Sequence, residues 1–290
     1  MASSRPSGNH RPSIGEFASL IRKDDAFGPK IMGIVNVTPD SFYANSRSDF
    51  DQAVKKSLDM WNLGAEWVDV GGESTRPGSD EVSIDEELSR VIPVIKELKK
   101  IRPDGLISID TKKFEVAKKA IDAGAMMIND VSGLRNDEMF ELVLSEKLPV
   151  CIMHMQNMPS DMQNKPKYDD CLREVKEILT NKANELINRG FPDELIILDP
   201  GIGFGKLKKH NLELLRGNKF LSSGKFSILN GVSRKSIIGE LTKNKDANQR
   251  LAGTLAASAY GQMNEVDILR VHDVKEHVDL RNVLSALINK

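Results

Sequence analysis

Eight apolar segments recur along the chain, and each one ends in a polar residue or a glycine turn. They lie at 31–36, 66–71, 106–110, 125–129, 149–154, 195–199, 226–232 and 267–271. They are rich in Val, Ile, Leu and Met without polar alternation, which is typical of strands buried on both faces of a parallel sheet. A stretch long enough for one helix separates each from the next. The pattern therefore predicts an α/β fold, a single-domain (β/α)8 TIM barrel, whose chemistry lies at the carboxyl ends of the strands.

The stretches between the apolar segments carry their own helix signals. Ser83 and Glu86 have the spacing of a capping box and precede apolar residues at helical intervals. Three glycines a few residues before the next strand are predicted to end helices: Gly64, Gly124 and Gly190.

Two predicted connections are longer than this fold requires, namely 37–50 and 72–82. Both follow early strands and are expected on the catalytic face, where long polar loops usually carry function. A tolerated surface insertion is the alternative, but both loops begin with sharply specified residues.

Composition narrows the class of protein. Of 290 residues, 40% are hydrophobic and 29% are charged, which is ordinary for a soluble globular protein. The net charge of −1 gives no reason to expect nucleic acid or an anionic membrane as a partner, and no apolar run is long enough to span a bilayer. Cys151 and Cys171 are too few for a disulfide framework and fit a reducing, cytoplasmic compartment.

The amino terminus is polar and rich in Ser and Pro, without the apolar core of a secretory signal. We expect a flexible tail over residues 1–14 and the barrel domain over 15–290. A transit peptide is the alternative, which the shortness of the segment and its lack of an amphipathic pattern disfavour.

Four polar side chains at predicted strand ends, or just beyond them, are expected to converge on the mouth of the barrel. They are Asp110, Asn129, Asp199 and Lys235. Two carboxylates, an amide and an ammonium together suit a flat heterocycle with several ring N–H groups and a carbonyl. Each residue alone has a structural explanation, such as capping the next helix, but the set is harder to explain in that way. Met153 is expected to form an apolar floor for an aromatic ligand, and His154 beside it reads as a hydrogen-bonded structural residue.

A second group has the chemistry of an anion site. Arg270 and His272 alternate on the eighth strand, and Asn36 ends the first strand, which is adjacent in a closed barrel. A guanidinium, an imidazole and an amide are suited to a phosphate or pyrophosphate with a divalent metal. The alternative for Arg270 is an ion pair with Asp267 or Asp273.

A glycine-rich run follows the sixth strand, at 199–206. Its spacing matches neither a Walker A motif nor GxGxxG, so as a nucleotide signal it is weak. Its glycines let the backbone approach a ligand and are expected to leave Phe204 exposed as a contact. Lys206 is expected to be solvated, and three histidines look like surface or tail residues: His10, His210 and His277.

Eight motifs resemble those of the dihydropteroate synthase family of the pterin-binding superfamily. In chain order they are MGIVNVTPDSF, VDVGGESTRPG, SIDT, INDVSG, CIMHMQ, LDPGIGFGK, GVSRKS and RVHDV, from about Lys30 to near the carboxyl terminus. The resemblance implies that 6-hydroxymethyl-7,8-dihydropterin pyrophosphate and p-aminobenzoate are joined with release of pyrophosphate. It also implies a homodimer and an SN1-like course, which requires no nucleophilic side chain.

The resemblance implies a role for each matched residue. The implied pterin-binding residues are Asp110, Asn129, Asp199, Lys235 and Arg270, with Met153 as the floor. The implied pyrophosphate-binding residues are Asn36, Arg270 and His272, with Asn36 as the ligand of Mg²⁺. The implied p-aminobenzoate and loop residues are Thr75, Arg76, Pro77, Phe204 and Ser236. The implied catalytic residues are Asp40, Asp110, Lys235 and Arg270, with Asp110 and Asp40 stabilising a cationic pterin.

The chain departs from the family pattern after NVTPDSF, where Tyr43–Arg47 replaces a glycine-containing segment. The missing glycines are expected to stiffen this loop. Two other functions stay open at this point. A pterin-binding methyltransferase shares the barrel but has no need of the STRPG, SRK and RVHDV motifs. A non-catalytic pterin-binding protein has no use for an anion site.

Overall fold

The computed structural model describes residues 11–37, 47–74, 81–156 and 166–288. Four predicted functional residues, Asp40, Thr75, Arg76 and Pro77, lie outside these ranges, as does most of the predicted tail. The domain boundary at residue 15 stays a prediction, and the first described helix begins at Ile14, capped by Ser13.

All eight predicted strands are confirmed, and they close a parallel barrel in sequence order. The strands are β1 (Lys30–Asn36), β2 (Trp67–Gly71), β3 (Leu106–Asp110), β4 (Met127–Asp130), β5 (Val150–Met153), β6 (Ile196–Asp199), β7 (Ser227–Asn230) and β8 (Ile268–Val271). The barrel closes where Met32 of β1 pairs with Arg270 of β8. The predicted TIM barrel is therefore confirmed.

Helices surround the barrel. Among the described residues they are α1 (Ile14–Ile21), α2 (Arg47–Asn62), α3 (Ile84–Ile101), α4 (Phe114–Asp122), α5 (Asp137–Glu146), α6 (Cys171–Asn188), α7 (Lys208–Arg216), α8 (Asn218–Ser222), α9 (Ser236–Thr242), α10 (Leu251–Met263) and α11 (Val274–Ile288). Two short 3-10 helices lie at Asp193–Leu195 and Ala247–Gln249. No described helix is long and apolar enough to cross a membrane.

The barrel interior has an apolar lower layer. One buried side chain from each strand contributes to it, and Ile21 of α1 joins the same cluster: Met32, Trp67, Leu106, Met127, Cys151, Ile197, Leu229 and Ile268. The indole N–H of Trp67 donates to the carbonyl of Leu20 at 2.9 Å. Helix α1 therefore closes the amino-terminal end of the barrel and leaves the carboxyl end for the site.

Side chains alternate in direction along a strand, so the next inward position lies two residues beyond each member of this layer. Five of these positions carry Asp69, Asn129, Met153, Asp199 and Arg270. All except Arg270 are buried, and Arg270 is partly buried. The interior therefore changes from apolar to polar within one layer, toward the carboxyl ends of the strands.

The predicted helix ends are mostly correct. Gly64, Gly124 and Gly190 have φ of 104°, 111° and 85°, which suits glycine at a helix end. The capping box is only half formed, because the Ser83 hydroxyl accepts from the Glu86 N–H while the Glu86 carboxylate binds Arg90.

The first of the two long connections is shorter than predicted. Helix α2 begins at Arg47, so the last four residues of the stretch 37–50 are helical. Residues 38–46 of that stretch, and residues 75–80 of the stretch 72–82, lie outside the described residues.

Candidate active site

Arg270 joins two buried carboxylates in the mouth of the barrel. Its Nε lies 2.6 Å from Oδ2 of Asp69 on β2, and its Nη2 donates to Oδ2 of Asp110 on β3. The amide of Asn129 on β4 donates to the same Asp69 oxygen at 2.9 Å. Four strands, β8, β2, β3 and β4, thus supply one connected network, although β1 lies between β8 and β2.

Asp69 is the member of this network that sequence reasoning missed. Its signal was a lone acidic residue inside the apolar run WVDVG. A fully buried charge needs a partner, so that position alone called for a cation from another strand.

The alternative ion pairs considered for Arg270 are wrong. Asp267 accepts from the backbone N–H groups of Lys23 and Ile228, at the opposite end of the barrel. Asp273 is bound by the guanidinium of Arg234. Arg270 is held by carboxylates inside the barrel because its side chain points inward from β8.

Asp110 carries an unusual charge state. Burial raises the pKa of this carboxyl to about 7, with Arg270 opposing the shift and Asp69 adding to it. The same carboxylates outweigh the effect of burial on Arg270 and keep the pKa of its guanidinium above the usual range. Oδ1 of Asp110 finds no hydrogen-bond partner among the described residues although it is buried. Such an acceptor at a barrel mouth suits a ligand N–H donor.

Asp199 and Lys235 form a second part of the site with the loop after β6. Oδ1 of Asp199 accepts from the Gly201 N–H at 2.7 Å, and burial raises the pKa of this carboxyl. Lys235 donates from Nζ to the Ile202 carbonyl at 2.6 Å and lies 4.5 Å from the centroid of the Phe204 ring. Burial lowers the pKa of Lys235 to about 8, against the opposing charge of Asp199.

Phe204 is less exposed than predicted. It is partly buried because it packs against Val131, Met153 and Met155 in a small apolar cluster at the rim. Met153 is buried in this cluster, as expected of an apolar floor. One face of the site is therefore apolar and aromatic, opposite the polar network around Arg270.

The prediction that Lys206 is solvated is wrong. The side chain is buried, and its Nζ lies 3.0 Å from Nδ1 of His154, 3.2 Å from the His154 carbonyl and 2.8 Å from the Phe204 carbonyl. Burial lowers the pKa of Lys206 to about 7 and that of His154 to about 3. His154 is thus hydrogen-bonded, as expected, and its low pKa keeps the imidazole neutral at pH 7.

Two further histidines are not at the surface. His210 is buried against Tyr168, with a ring-centroid separation of 4.8 Å. His277 is fully buried, and its ring nitrogens lie within hydrogen-bonding distance of Ser258 Oγ and the Asp273 carbonyl. His10 lies outside the described residues.

The predicted anion-binding residues lie at the rim. Nδ1 of His272 lies 2.9 Å from Oγ of Ser233. Burial, with the nearby cations Lys56, Arg270 and Arg234, lowers the pKa of His272 to about 4, so its imidazole is neutral at pH 7. Asn36 and Ser236 are exposed, at the end of β1 and the start of α9.

A divalent metal fits this rim only with help from a substrate. Among the described residues, no group of three His, Cys, Asp or Glu side chains could hold a metal ion. The exposed amide oxygen of Asn36 suits Mg²⁺, which keeps several waters and takes its other ligands from phosphate oxygens.

The comparisons with known proteins agree on one family. The pterin binding enzyme family matches residues 32–272. The dihydropteroate synthase of Escherichia coli K12 is 43% identical over 266 residues, which is 91% of this chain and 94% of the relative. The Yersinia pestis dihydropteroate synthase structure with a sulfonamide drug complex has a TM-score of 0.85 at 40% identity, covering 92% of this chain and 96% of that one. The Xanthomonas albilineans dihydropteroate synthase with 4-aminobenzoic acid has a TM-score of 0.84 at 40% identity, with coverages of 91% and 94%. The chain therefore belongs to the pterin-binding enzymes and, among them, to the dihydropteroate synthase family of folate-biosynthesis transferases.

Proposed function

We propose that this transferase joins 6-hydroxymethyl-7,8-dihydropterin pyrophosphate to p-aminobenzoate by an SN1-like substitution. The observation that carries the proposal is the buried Asp110 carboxylate, which has one oxygen on Arg270 and the other without a partner among the described residues. That acceptor lies at the carboxyl end of β3, beyond the apolar lower layer of the barrel, and it is where we place the flat pterin ring.

The pterin ring is placed between the two parts of the site. Asp110, Asn129 and Asp199 accept from or donate to its ring N–H and carbonyl groups, while Lys235 and Arg270 supply donors. Met153 contributes the apolar surface under the ring. Asn129 and Asp199 are already oriented by hydrogen bonds within the protein. Substrate binding therefore costs little side-chain conformational entropy at these two residues.

The pyrophosphate is placed at the rim formed by Asn36, Arg270 and His272. Because His272 is neutral, it serves as a hydrogen-bond donor rather than as a second cation. Asn36 would hold Mg²⁺ through its amide oxygen, and the chemistry that the ion would supply there is charge neutralisation of the leaving group. We assign Arg270 to both substrate regions, because it binds Asp110 on β3 and stands two residues before His272 in the sequence.

The chain's residues stabilise charge and position rather than form a covalent bond. The methylene C–O bond breaks, and its electron pair leaves with pyrophosphate. The cation that remains on the pterin methylene is stabilised by Asp110 in its ionised form, and by Asp40 from the segment that follows β1 in the sequence. The arylamine lone pair then forms the C–N bond, and the nitrogen loses a proton. Correct orientation of the amine supplies much of the rate.

We assign p-aminobenzoate to Phe204 and Ser236, with Thr75, Arg76 and Pro77 from the segment that follows β2 in the sequence. Phe204 is partly buried beside Lys235, so it offers a fixed ring face next to a cation. The Xanthomonas relative was crystallised with 4-aminobenzoic acid and the Yersinia relative with a sulfonamide drug. We expect sulfonamides to compete with p-aminobenzoate for the same place here. We also propose a cytoplasmic homodimer.

Product formation from dihydropterin pyrophosphate and labelled p-aminobenzoate, with and without Mg²⁺, tests the proposal. We expect magnesium-dependent product in the wild type, and a loss of at least about a hundredfold in Lys235→Ala because a positioned cation is removed from the site. Lys225→Ala, an exposed lysine on the far side of the barrel, is the matched control and should behave as wild type. Retained pterin binding without any product would contradict the proposal and point to a methyltransferase or to a degenerate homologue.

A further inference from the structure

Lys206 is a buried lysine, so it does not serve as an ordinary solvated surface charge. Its side chain is 4% exposed, and its ammonium group reaches three acceptors, two of which belong to His154 and one to Phe204. Three acceptors match the three N–H donors of a protonated lysine. The side chain therefore ties the end of β5 to the backbone of the loop that follows β6.

The loop that Lys206 holds is packed closely against β5. A Cβ on Gly201 would lie 1.9 Å from the His154 carbonyl oxygen. On the other side of the same turn, the Tyr168 hydroxyl donates to the Gly205 carbonyl at 2.9 Å. The Phe204 carbonyl is thus held by Lys206 of the same loop, and the Gly205 carbonyl is held by Tyr168, which lies 37 residues away in the sequence.

Holding this loop in place also fixes two residues of the candidate active site, Phe204 and Lys235. Phe204 presents its ring to Lys235, and the neighbouring Ile202 carbonyl accepts from the same lysine. A backbone held at residues 202–205 fixes both the ring face and the lysine that lies over it. We propose that Lys206 is a positioning residue for the arylamine substrate, acting through the backbone of Phe204. The inference rests on the proposed contact between Phe204 and p-aminobenzoate.

The test is a double-mutant cycle on the steady-state kinetics of the full-length enzyme. Lys206→Met keeps most of the stem and removes the ammonium, so we expect KM for p-aminobenzoate to rise about tenfold. KM for dihydropterin pyrophosphate should change by less than about twofold. Phe204→Leu should also raise KM for p-aminobenzoate. In the double variant this KM should not exceed the higher of the two single-variant values, because both changes act at one contact.

Lys208→Met is the matched control, because Lys208 is exposed two residues further along the chain and should leave both KM values unchanged. If Lys206→Met matches this control while remaining folded, the inference is wrong. It is also wrong if the effects of the two single variants multiply, because Lys206 then acts elsewhere. If Phe204→Leu leaves KM for p-aminobenzoate unchanged, the proposed arylamine contact fails, and the inference fails with it.

A second variant covers the case in which Lys206→Met does not fold. Tyr168→Phe removes only the hydroxyl that holds the Gly205 carbonyl. We expect KM for p-aminobenzoate to rise by a smaller factor, about threefold, and KM for dihydropterin pyrophosphate to stay unchanged. An unchanged KM for p-aminobenzoate in this variant would show that the loop does not need its side-chain ties, against the inference.

Discussion

At the scale of single residues, Asp69 determines how Arg270 and Asn129 are held. One oxygen of this fully buried carboxylate accepts from both side chains. Asp69→Asn keeps the shape and an acceptor but removes the negative charge. We expect a loss of about 2 kcal/mol in the free energy of unfolding. We also expect kcat/KM to fall at least about tenfold, because Arg270 and Asn129, which are proposed to bind the pterin, lose their orientation. Denaturant unfolding and steady-state kinetics measure the two effects.

A matched control separates those effects. Asp267 is also buried and also accepts two hydrogen bonds, but it lies at the amino-terminal end of the barrel. Asp267→Asn should therefore reduce stability by a similar amount without changing kcat/KM. Equal kinetic losses in both variants would mean that the effect of Asp69 on turnover comes from stability alone.

Lys235 gives the site a predicted pH limit. Burial lowers the pKa of its ammonium to about 8, so the charge is lost as the pH rises through that value. We expect kcat/KM for the pterin substrate to fall above about pH 8, because this parameter reports ionisations of the free enzyme. In Lys235→Arg the group stays charged throughout, so the alkaline decline should disappear, at a lower absolute rate.

A second lysine near the site could cause the same decline with pH, so its contribution has to be tested separately. Lys206, whose pKa burial lowers to about 7, belongs to the loop that contacts Lys235. If the decline persists in Lys235→Arg and vanishes in Lys206→Met, the pH limit belongs to Lys206 and the assignment to Lys235 is wrong.

At the scale of elements, the loop between β6 and α7 depends on a glycine. Gly201 has φ of 67°, its N–H binds Asp199, and a Cβ there would overlap the His154 carbonyl oxygen. Gly201→Ala must displace the loop, so we expect pterin affinity to fall at least about tenfold, measured by calorimetric titration. Gly224→Ala has a similar φ of 71° and open space around it. It should lower stability by only about 1 kcal/mol and leave affinity unchanged. Equal affinities in the two variants would contradict the role of this loop.

The elements were predictable where a short stretch of sequence determines them. Each strand is buried on both faces, so its apolar run is visible without knowledge of its neighbours. The helix-ending glycines are equally local. The strand ends also placed Asp110, Asn129, Asp199 and Arg270 at the mouth, because a parallel barrel brings all carboxyl ends to one rim.

The partners within the site were not predictable, because they are distant in sequence. Asp69 and Arg270 are separated by 201 residues, and His154 and Lys206 by 52. A lysine beside three glycines is predicted to be solvated unless His154, directly after β5, is known to supply two of its three acceptors. The surface predictions for His210 and His277 were wrong for the same reason, because both residues are buried against groups that no local sequence pattern indicates.

At the scale of the whole molecule, the two carboxyl-terminal helices present apolar side chains outward. Helices α10 and α11 pack together through Gln262, whose amide donates to the Arg281 carbonyl at 3.3 Å and to Ser285 at 3.0 Å. Val283 and Leu287, one turn apart on α11, remain 62% and 77% exposed. Large apolar side chains exposed together commonly mark an interface.

The proposed homodimer is therefore tested on α11. We expect sedimentation equilibrium to give twice the chain mass for the wild type. Val283→Glu with Leu287→Glu should give the chain mass, because two like charges would face their copies across a two-fold axis. Ile178→Glu changes an equally apolar, 53% exposed residue on α6 and should leave the dimer intact. The active site draws its described polar residues from within one barrel, so the monomeric variant should keep the wild-type KM for both substrates. A monomeric wild type would contradict the dimer, and a dimer that survives the α11 variant would place its interface elsewhere.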